Sequence, residues 1–359
     1  MKGIFYSFCL LLVGTMTCLA QRPPSISSPD VHADNTITFR YFSRTAQQAA
    51  LSGEFLSANQ AMTKDTAGVW SITVGPVIPA IYPYFFVVDG VQIADPNNTY
   101  LFANERFKRS IVDVPGSTPL LHSLQNVPHG KIHYRYYNSK TLANTRPLLV
   151  YTPPGFDASG KTKYPVFYLI HGGSDTEETW TKVGRANLIA DNLIAQRKAV
   201  PMIIVMPYGN VRPAPMPHFT KDVVNDIIPF VESNYPVLTD SKNRAVAGFS
   251  VGGGQTLNIG LTNTDKFAYV FSYAPYTQTE EFQKNFGASY APNAGQLNNR
   301  LKLFTISVGT EDFLYESVKQ NITMFEGKGI KLKTYIGPGG HTWMKCREFL
   351  ATSLQEAFK

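Results

Sequence analysis

The sequence predicts an α/β fold preceded by a small all-β sandwich of immunoglobulin-like architecture, and three observations carry that reading. Residues 25–115 hold short aromatic and β-branched runs separated by turn residues. From residue 131 to 359, apolar runs of strand length alternate with helical stretches, the pattern of a mostly parallel sheet covered on both faces. Between them, 116–130 carries Gly116, Pro119, Pro128 and Gly130 and reads as a linker. The chain has 359 residues, enough for two domains, and charged residues make up only 16% of it, which excludes a disordered or coiled-coil protein.

The elements follow in order. Lys2, the apolar run Ile4–Val13 and Cys18-Leu19-Ala20 read as a signal peptide over 1–20, and the apolar run is too short to span a bilayer. The expected location is therefore secreted or periplasmic. Thr15, Met16 and Thr17 do not fit the small-residue pattern that precedes a lipidated cysteine, so an outer-membrane lipoprotein is not expected. Loss of this segment leaves Cys346 alone, and no intramolecular disulfide can form.

Strands are expected at Thr36–Phe42, Ala49–Ser52, Val69–Val74, Tyr82–Val88 and Ser110–Val114. Asp89-Gly90 between Val88 and Val91 predicts a two-residue hairpin turn. Beyond the linker, buried strands are expected at Pro147–Tyr151, Val166–Ile170, Met202–Met206, Arg244–Ala247, Tyr269–Ser272, Leu301–Val308 and Lys331–Ile336. Leu314, Val318 and Ile322 recur at helical spacing, and Val223, Val224, Ile227, Ile228 and Val231 mark an apolar helix face interrupted by Pro229.

The chemistry concentrates at Gly248-Phe249-Ser250-Val251-Gly252, which fits G-x-S-x-G between a strand and a helix. Such a nucleophile elbow turns so sharply that a Cβ two residues before or after the serine would clash, which explains the glycines. An isolated pentapeptide of this kind also fits an ordinary glycine-rich turn; the strand before it and the helix after it favour catalysis. In an α/β-hydrolase the acid and then the histidine follow the serine, and of seven histidines only His341 does. It would take the Ser250 proton during attack and return it to the leaving alcohol.

For the acid, Glu311 and Asp312 follow a predicted strand; Asp312 is favoured, with Glu311 facing solvent and Asp265 next in line. The oxyanion hole is assigned to the backbone N–H of Val251 and to Gly173, with Gly172 beside it, in Leu169-Ile170-His171-Gly172-Gly173-Ser174. His171 lies ahead of the serine without metal-spaced ligands around it, so its role is read as structural, and no metal or organic cofactor is implied. The 33 basic and 26 acidic residues give a net charge of +7, but the basic residues are scattered and do not predict a nucleic-acid partner.

The region from about Val127 onward resembles the esterase D-like hydrolases of carbohydrate esterase family 1. The resemblance lies in Val127–Gly130, Val150–Gly155, Tyr164 through Gly173, Asp191–Ala195, Val205–Pro207, Gly248–Gly254 and Gly309–Asp312. The N-terminal stretches Ser28–Val31, Gly68–Trp70, Phe86–Gly90 and Asp95-Pro96 resemble a family 48 carbohydrate-binding module. The resemblance implies a serine esterase acting on feruloyl or acetyl esters of plant cell-wall xylan, with the triad on Ser250, Asp312 and His341. Val251 stands where the family often has methionine, a difference that leaves the backbone donor intact.

Trp180 and Trp343, just downstream of predicted catalytic loops, are expected to line the acyl pocket, the alternative being that both are core. Trp70, Tyr84 and Phe86 are read as packing residues of the module rather than a sugar-stacking face. A siderophore (catecholate trilactone) esterase or an acyltransferase of the same fold is the competing enzyme reading. A non-catalytic glycan-binding protein is the reading from another class, and the intact triad argues against it. The catalytic region is expected to fold from about Leu121 without the module. The expected partner is a polysaccharide or oligosaccharide ester.

Overall fold

The computed structural model describes residues 25–212, 215–277, 282 and 294–359; the expected signal peptide lies outside the described residues. Within 30–113, alternating side chains build two antiparallel sheets. Asp30–Val31, Ile37–Phe42, Val69–Val74 and Thr63–Lys64 form the first. The second runs Gln60–Ala61, Ala49–Gly53, Ile81–Val88, Lys108–Asp113, Leu101–Ala103, with Val91–Ile93 pairing on Ile81–Val88. Asp89 and Gly90 both take positive φ, 46° and 84°, as a two-residue turn between paired Val88 and Val91 requires.

Period-two alternation sends Tyr82, Tyr84 and Phe86 inward, where they meet Phe39, Leu51 and Trp70 in one buried cluster. Trp70 is 7% exposed and its indole N–H donates to the Ser43 carbonyl. These aromatics are therefore core, as the alternation indicates.

Among the described residues, eight strands form the large sheet: β1 Lys131–Ser139, β2 Asn144–Thr152, β3 Val166–Ile170, β4 Ile203–Pro207, β5 Arg244–Phe249, β6 Tyr269–Tyr273, β7 Leu303–Gly309 and β8 Lys333–Gly337. Their order is β1-β2-β4-β3-β5-β6-β7-β8, antiparallel up to the β2–β4 pair and parallel from β4 onward. Strands β3 to β6 are buried along their whole length because helices cover both faces, which is why they read as continuous apolar runs. Strand β1 was not expected from the sequence. It is an edge strand with Tyr134 and Tyr136 exposed and Lys131 and Arg135 interspersed, so it carries no apolar signature. The Pro229 interruption is absorbed by a π-helical turn, Val223–Ile227, between the helices Pro215–Asp222 and Ile228–Asn234.

The connection 116–130 is fastened rather than loose. Asn192 donates to the carbonyls of Leu121 and Ser123, and buried Asp191 accepts from Gly130 N–H and Tyr151 Oη and pairs with His129 Nδ1 at 2.9 Å. The stretches around His129 and Asp191 that carry the family resemblance thus meet as a structural clasp.

The sandwich also packs directly on the α/β unit. Ile81, Phe102 and Ile111 belong to the same buried apolar cluster as the large sheet and its helices. Phe102 meets Trp343 edge-on at 6.0 Å, and Arg347, 3% exposed, donates to the Val183 and Ile81 carbonyls. Part of the core of the α/β unit is thus supplied from across the connection, which bears on the expectation that it folds from about Leu121 without the module.

Candidate active site

Strand β5 ends in the elbow, and Ser250 sits at φ 58°, ψ −118°, a region that a residue with a side chain occupies only when its surroundings impose it. The imposition is visible. Ser250 N–H donates to the Tyr273 carbonyl of β6, and the Ser250 carbonyl accepts from Gly254 and Tyr276 N–H. A Cβ on Gly248 would lie 2.4 Å from the Gly252 carbonyl oxygen, and one on Gly252 would lie 2.3 Å from that of His171. The glycine pattern is therefore a steric requirement of the turn.

Val251 opens the helix Val251–Thr262, so its N–H has no partner within that helix. Gly173 lies directly against it: a Cβ there would fall 2.9 Å from Val251 Cγ2. The loop carrying Gly172 and Gly173 is pinned by His171, whose Nδ1 lies 2.8 Å from the Gly172 carbonyl while Nε2 accepts from Gly209 N–H. Burial pushes the His171 imidazole down to about 4, so it stays neutral with the proton on Nδ1 and acts as a brace. Gln255, one turn beyond Ser250, donates to the Gly209 carbonyl and ties the same brace to the nucleophile helix.

Asp312 follows β7 and His341 follows β8, and neighbouring strand ends bring them together. Thr310 N–H donates to Gly337 and Glu311 N–H to Gly339, so the two loops are zipped along their backbones. His341 Nδ1 lies 2.7 Å from Asp312 Oδ2. The Asp312 side chain is 1% exposed, and its other oxygen accepts from Leu314 N–H. Glu311 points the other way, accepting from Gly339 N–H at an exposed position. The imidazole stacks on Phe249, the residue before the nucleophile, at 4.4 Å and 27°, which sets it beside the elbow.

Trp180 and Trp343 do not line a pocket. They are 0% and 4% exposed and pack edge-on at 5.2 Å, with Tyr273 on one side and Phe249 on the other. Nearness in sequence to a catalytic loop put them beside the site, but each follows its loop into a helix that faces the core. Two exposed aromatics stand at the site: Phe313, which leans on the His341 ring at 4.7 Å and is 75% exposed, and Tyr276, whose N–H donates to the Ser250 carbonyl. The signal of Phe313 in the sequence is its place directly after Asp312. Also missed were Asn104 and Glu105 of the sandwich, which reach the Gly172–Asp175 loop.

Comparison with known proteins bears on the family and the fold. Residues 139–353 match the esterase family model, and 27–100 match carbohydrate-binding module 48, the isoamylase N-terminal domain. An endo-1,4-β-xylanase/feruloyl esterase of Xylanibacter ruminicola is 28% identical over 349 residues, 92% of this chain and 46% of the relative. The chain thus spans less than half of the curated relatives it matches. A ferulic acid esterase from the anaerobic fungus Anaeromyces mucronatus superposes with a TM-score of 0.57 at 24% identity, over 66% of this chain and 93% of that one. The enterobactin esterase of Shigella flexneri shares the fold over 90% of this chain and 93% of its own, with a TM-score of 0.69 at 15% identity. With its elbow, its paired acid and histidine and a family match across most of its α/β unit, the chain belongs to the esterase family of carboxylic ester hydrolases, here with a module-48 domain in front.

Proposed function

We propose that this protein is an exported serine esterase that removes feruloyl or acetyl groups from xylan through Ser250, His341 and Asp312. The observation that carries the reading is the 2.7 Å contact of His341 Nδ1 with buried Asp312, on an imidazole stacked against the residue before Ser250. Asp312 accepts a hydrogen bond from Nδ1–H, which keeps the proton on Nδ1 and so leaves Nε2 as the base. Ser250 Oγ attacks the ester carbonyl as its proton passes to Nε2. The tetrahedral oxyanion is held by the N–H groups of Val251 and Gly173, with Gly172 adjacent. His341 then protonates the leaving sugar alcohol, and water repeats the sequence to free the acid. Phe313, exposed against His341, takes the role first given to the tryptophans and supplies an aryl platform for a ferulate ring. The xylan assignment draws on what the relatives are named for.

One observation favours a second reading. A cleft of about 710 Å³ is lined by Arg106, Arg146 and Arg212 together with Tyr208 and Asn210. Its 208–210 wall is bonded to His171 and Gln255, close behind the nucleophile. Arg106 and Arg212 are exposed there beside Glu105, while Arg146 is buried and donates to the Tyr208 and Asn210 carbonyls; the two exposed guanidinium groups suit an anionic substrate such as a catecholate trilactone. Initial rates on methyl ferulate, acetylated xylan and a catecholate trilactone separate the two: preference for the trilactone by more than tenfold in kcat/KM rejects the xylan-ester assignment.

A further inference from the structure

We propose that the N-terminal sandwich takes part in catalysis through a buried contact, Asn104 with Asp175, that positions the oxyanion loop; this rests on the esterase reading above. Asn104 is 2% and Asp175 5% exposed, and Asn104 Nδ2 donates to Asp175 Oδ1 at 2.7 Å across 71 residues of sequence. Beside it, Glu105 N–H donates to the Ser174 carbonyl at 2.7 Å, so side chain and backbone of the sandwich both grip the loop. Asp175 N–H closes back on the Gly172 carbonyl, and a Cβ on Gly172 would lie 3.1 Å from Asp175 Oδ2. The carboxylate thus sits one turn from the glycine pair that faces Val251.

Three features separate this contact from ordinary domain packing. First, the joint is already held by Phe102, Ile111 and Arg347, which bury apolar area and backbone carbonyls away from the loop. Second, a buried carboxylate whose one side-chain donor is a neutral amide, with the Gly172 backbone and the Arg109 charge as its further support, is an expensive way to glue two surfaces, and an apolar pair of the same volume would hold better. Third, Ser174 is held at φ 61°, a conformation that a residue with a side chain keeps only when its surroundings over-determine it. The loop is braced from the α/β side by His171 and by Asn210, whose amide donates to the Asp175 carbonyl, and from the sandwich side by Asn104 and Glu105. Releasing one brace lets Gly173 shift relative to Val251. A shift of about 1 Å in an oxyanion donor costs transition-state stabilisation while leaving ground-state binding almost untouched.

The geometry also provides its own rescue. Asn104 Oδ1 accepts from Arg106 N–H, a bond that an aspartate can keep. Asn104→Asp sets two carboxylates face to face, and adding Asp175→Asn restores one donor and one acceptor with the direction reversed. The test uses the full chain with p-nitrophenyl acetate and methyl ferulate, substrates too small to need a glycan-binding surface, and phenylboronic acid as the tetrahedral probe. Asn104→Asp is expected to lower kcat about 30- to 100-fold with KM within about threefold, and to weaken phenylboronic acid by a similar factor. The Asn104→Asp/Asp175→Asn pair is expected to regain kcat to within about fivefold of the original chain. Should Asn104→Asp not fold, Asn104→Ser, which draws the donor back, gives the same split in smaller measure.

A folded Asn104→Asp or Asn104→Ser chain with unchanged kcat overturns the proposal, as does a loss confined to KM or a folded double variant that stays slow. Failure of the esterase reading looks different: the unmodified chain would then hydrolyse neither ester, or Ser250→Ala would retain its rate.

Discussion

The two halves of the proposed reacting site, the Ser250 elbow as nucleophile and the Gly172–Gly173 loop as oxyanion donor, are built in opposite ways. The nucleophile elbow is a local object: Gly248 and Gly252 are dictated by contacts within the turn and with the neighbouring strand end, and the parallel pairing of β5 with β3 and β6 fixes where Ser250 points. The oxyanion loop is a long-range object, held by His171 and Gln255 from the α/β unit and by Asn104 and Glu105 from a different domain. The two constructions differ in the mark they leave on the sequence. A turn whose sterics exclude every residue but glycine announces itself in five letters, whereas a loop fastened by partners 70 residues away looks like any glycine pair after a strand.

The largest effect belongs to the local half. Ser250→Ala is expected to lower turnover by about 10⁶-fold on any ester while leaving the melting temperature near that of the original chain, since alanine fits the elbow. Circular dichroism melts and initial rates decide it, and activity above a few per cent would falsify the nucleophile assignment. His341→Ala is expected to be nearly as damaging, with the double variant hardly worse than either alone.

Next in size is the acid, which tests whether the zipped loops after β7 and β8 act as one unit. Asp312→Asn keeps the shape but reverses the proton on the bond to His341 Nδ1, and turnover is expected to drop by about 10⁴-fold. Glu311→Gln removes an exposed carboxylate that accepts from Gly339 N–H, and the expected loss is tenfold or less. If kinetic measurement ranks the two the other way, the catalytic acid is Glu311.

The joint between the domains comes third. Removing residues before Leu121 would expose the counterface of Ile81, Phe102 and Ile111 and strip Arg347 of the Ile81 carbonyl it binds. Each exposed large apolar side chain costs about 1.5–3 kcal/mol, and a buried guanidinium left short of an acceptor adds more. The truncated chain is therefore expected to be insoluble or to melt well below the full chain. A soluble truncated protein with unchanged turnover on methyl ferulate would show instead that the oxyanion loop holds itself.

Legibility in the sequence follows the same division. Strands β3 to β6 were legible because burial on both faces writes them as unbroken apolar runs, and Asp89-Gly90 because few residue pairs take positive φ twice. Strand β1 was not legible, since an edge strand has one exposed margin and alternates in charge and aromatics without an apolar stripe. Chain order singled out Ser250, Asp312 and His341, and each sits at a strand end, with His341 Nδ1 2.7 Å from Asp312 Oδ2. Trp180 and Trp343 were misplaced because sequence gives a residue's neighbourhood and not which way its helix turns it. Asp175 carried no signal, being one acidic residue in a polar loop until Asn104 is set beside it in space.

The smallest effect is thermodynamic and tests how costly the long-range brace is. Burial pushes the Asp175 carboxyl up to about 7 from an ordinary 3.8, against the opposing pull of the Asn104 amide, the Gly172 backbone and the nearby Arg109 charge. A raised pKa in the folded chain means that the folded state binds this proton more tightly than the unfolded one. The associated stability is therefore fully present below about pH 4 and is lost as pH rises through 7. Its ceiling is about 4 kcal/mol, and relaxation of the loop will reduce what is measured. Asp175→Asn removes the titrating group while keeping an oxygen for the Asn104 amide. Compared by urea midpoint, the variant and the original chain are expected to match closely at pH 4.5, with the variant the more stable at pH 8. A constant difference across that range would mean that Asp175 stays ionised throughout, and that the brace is a charged contact which the surrounding polar groups already compensate.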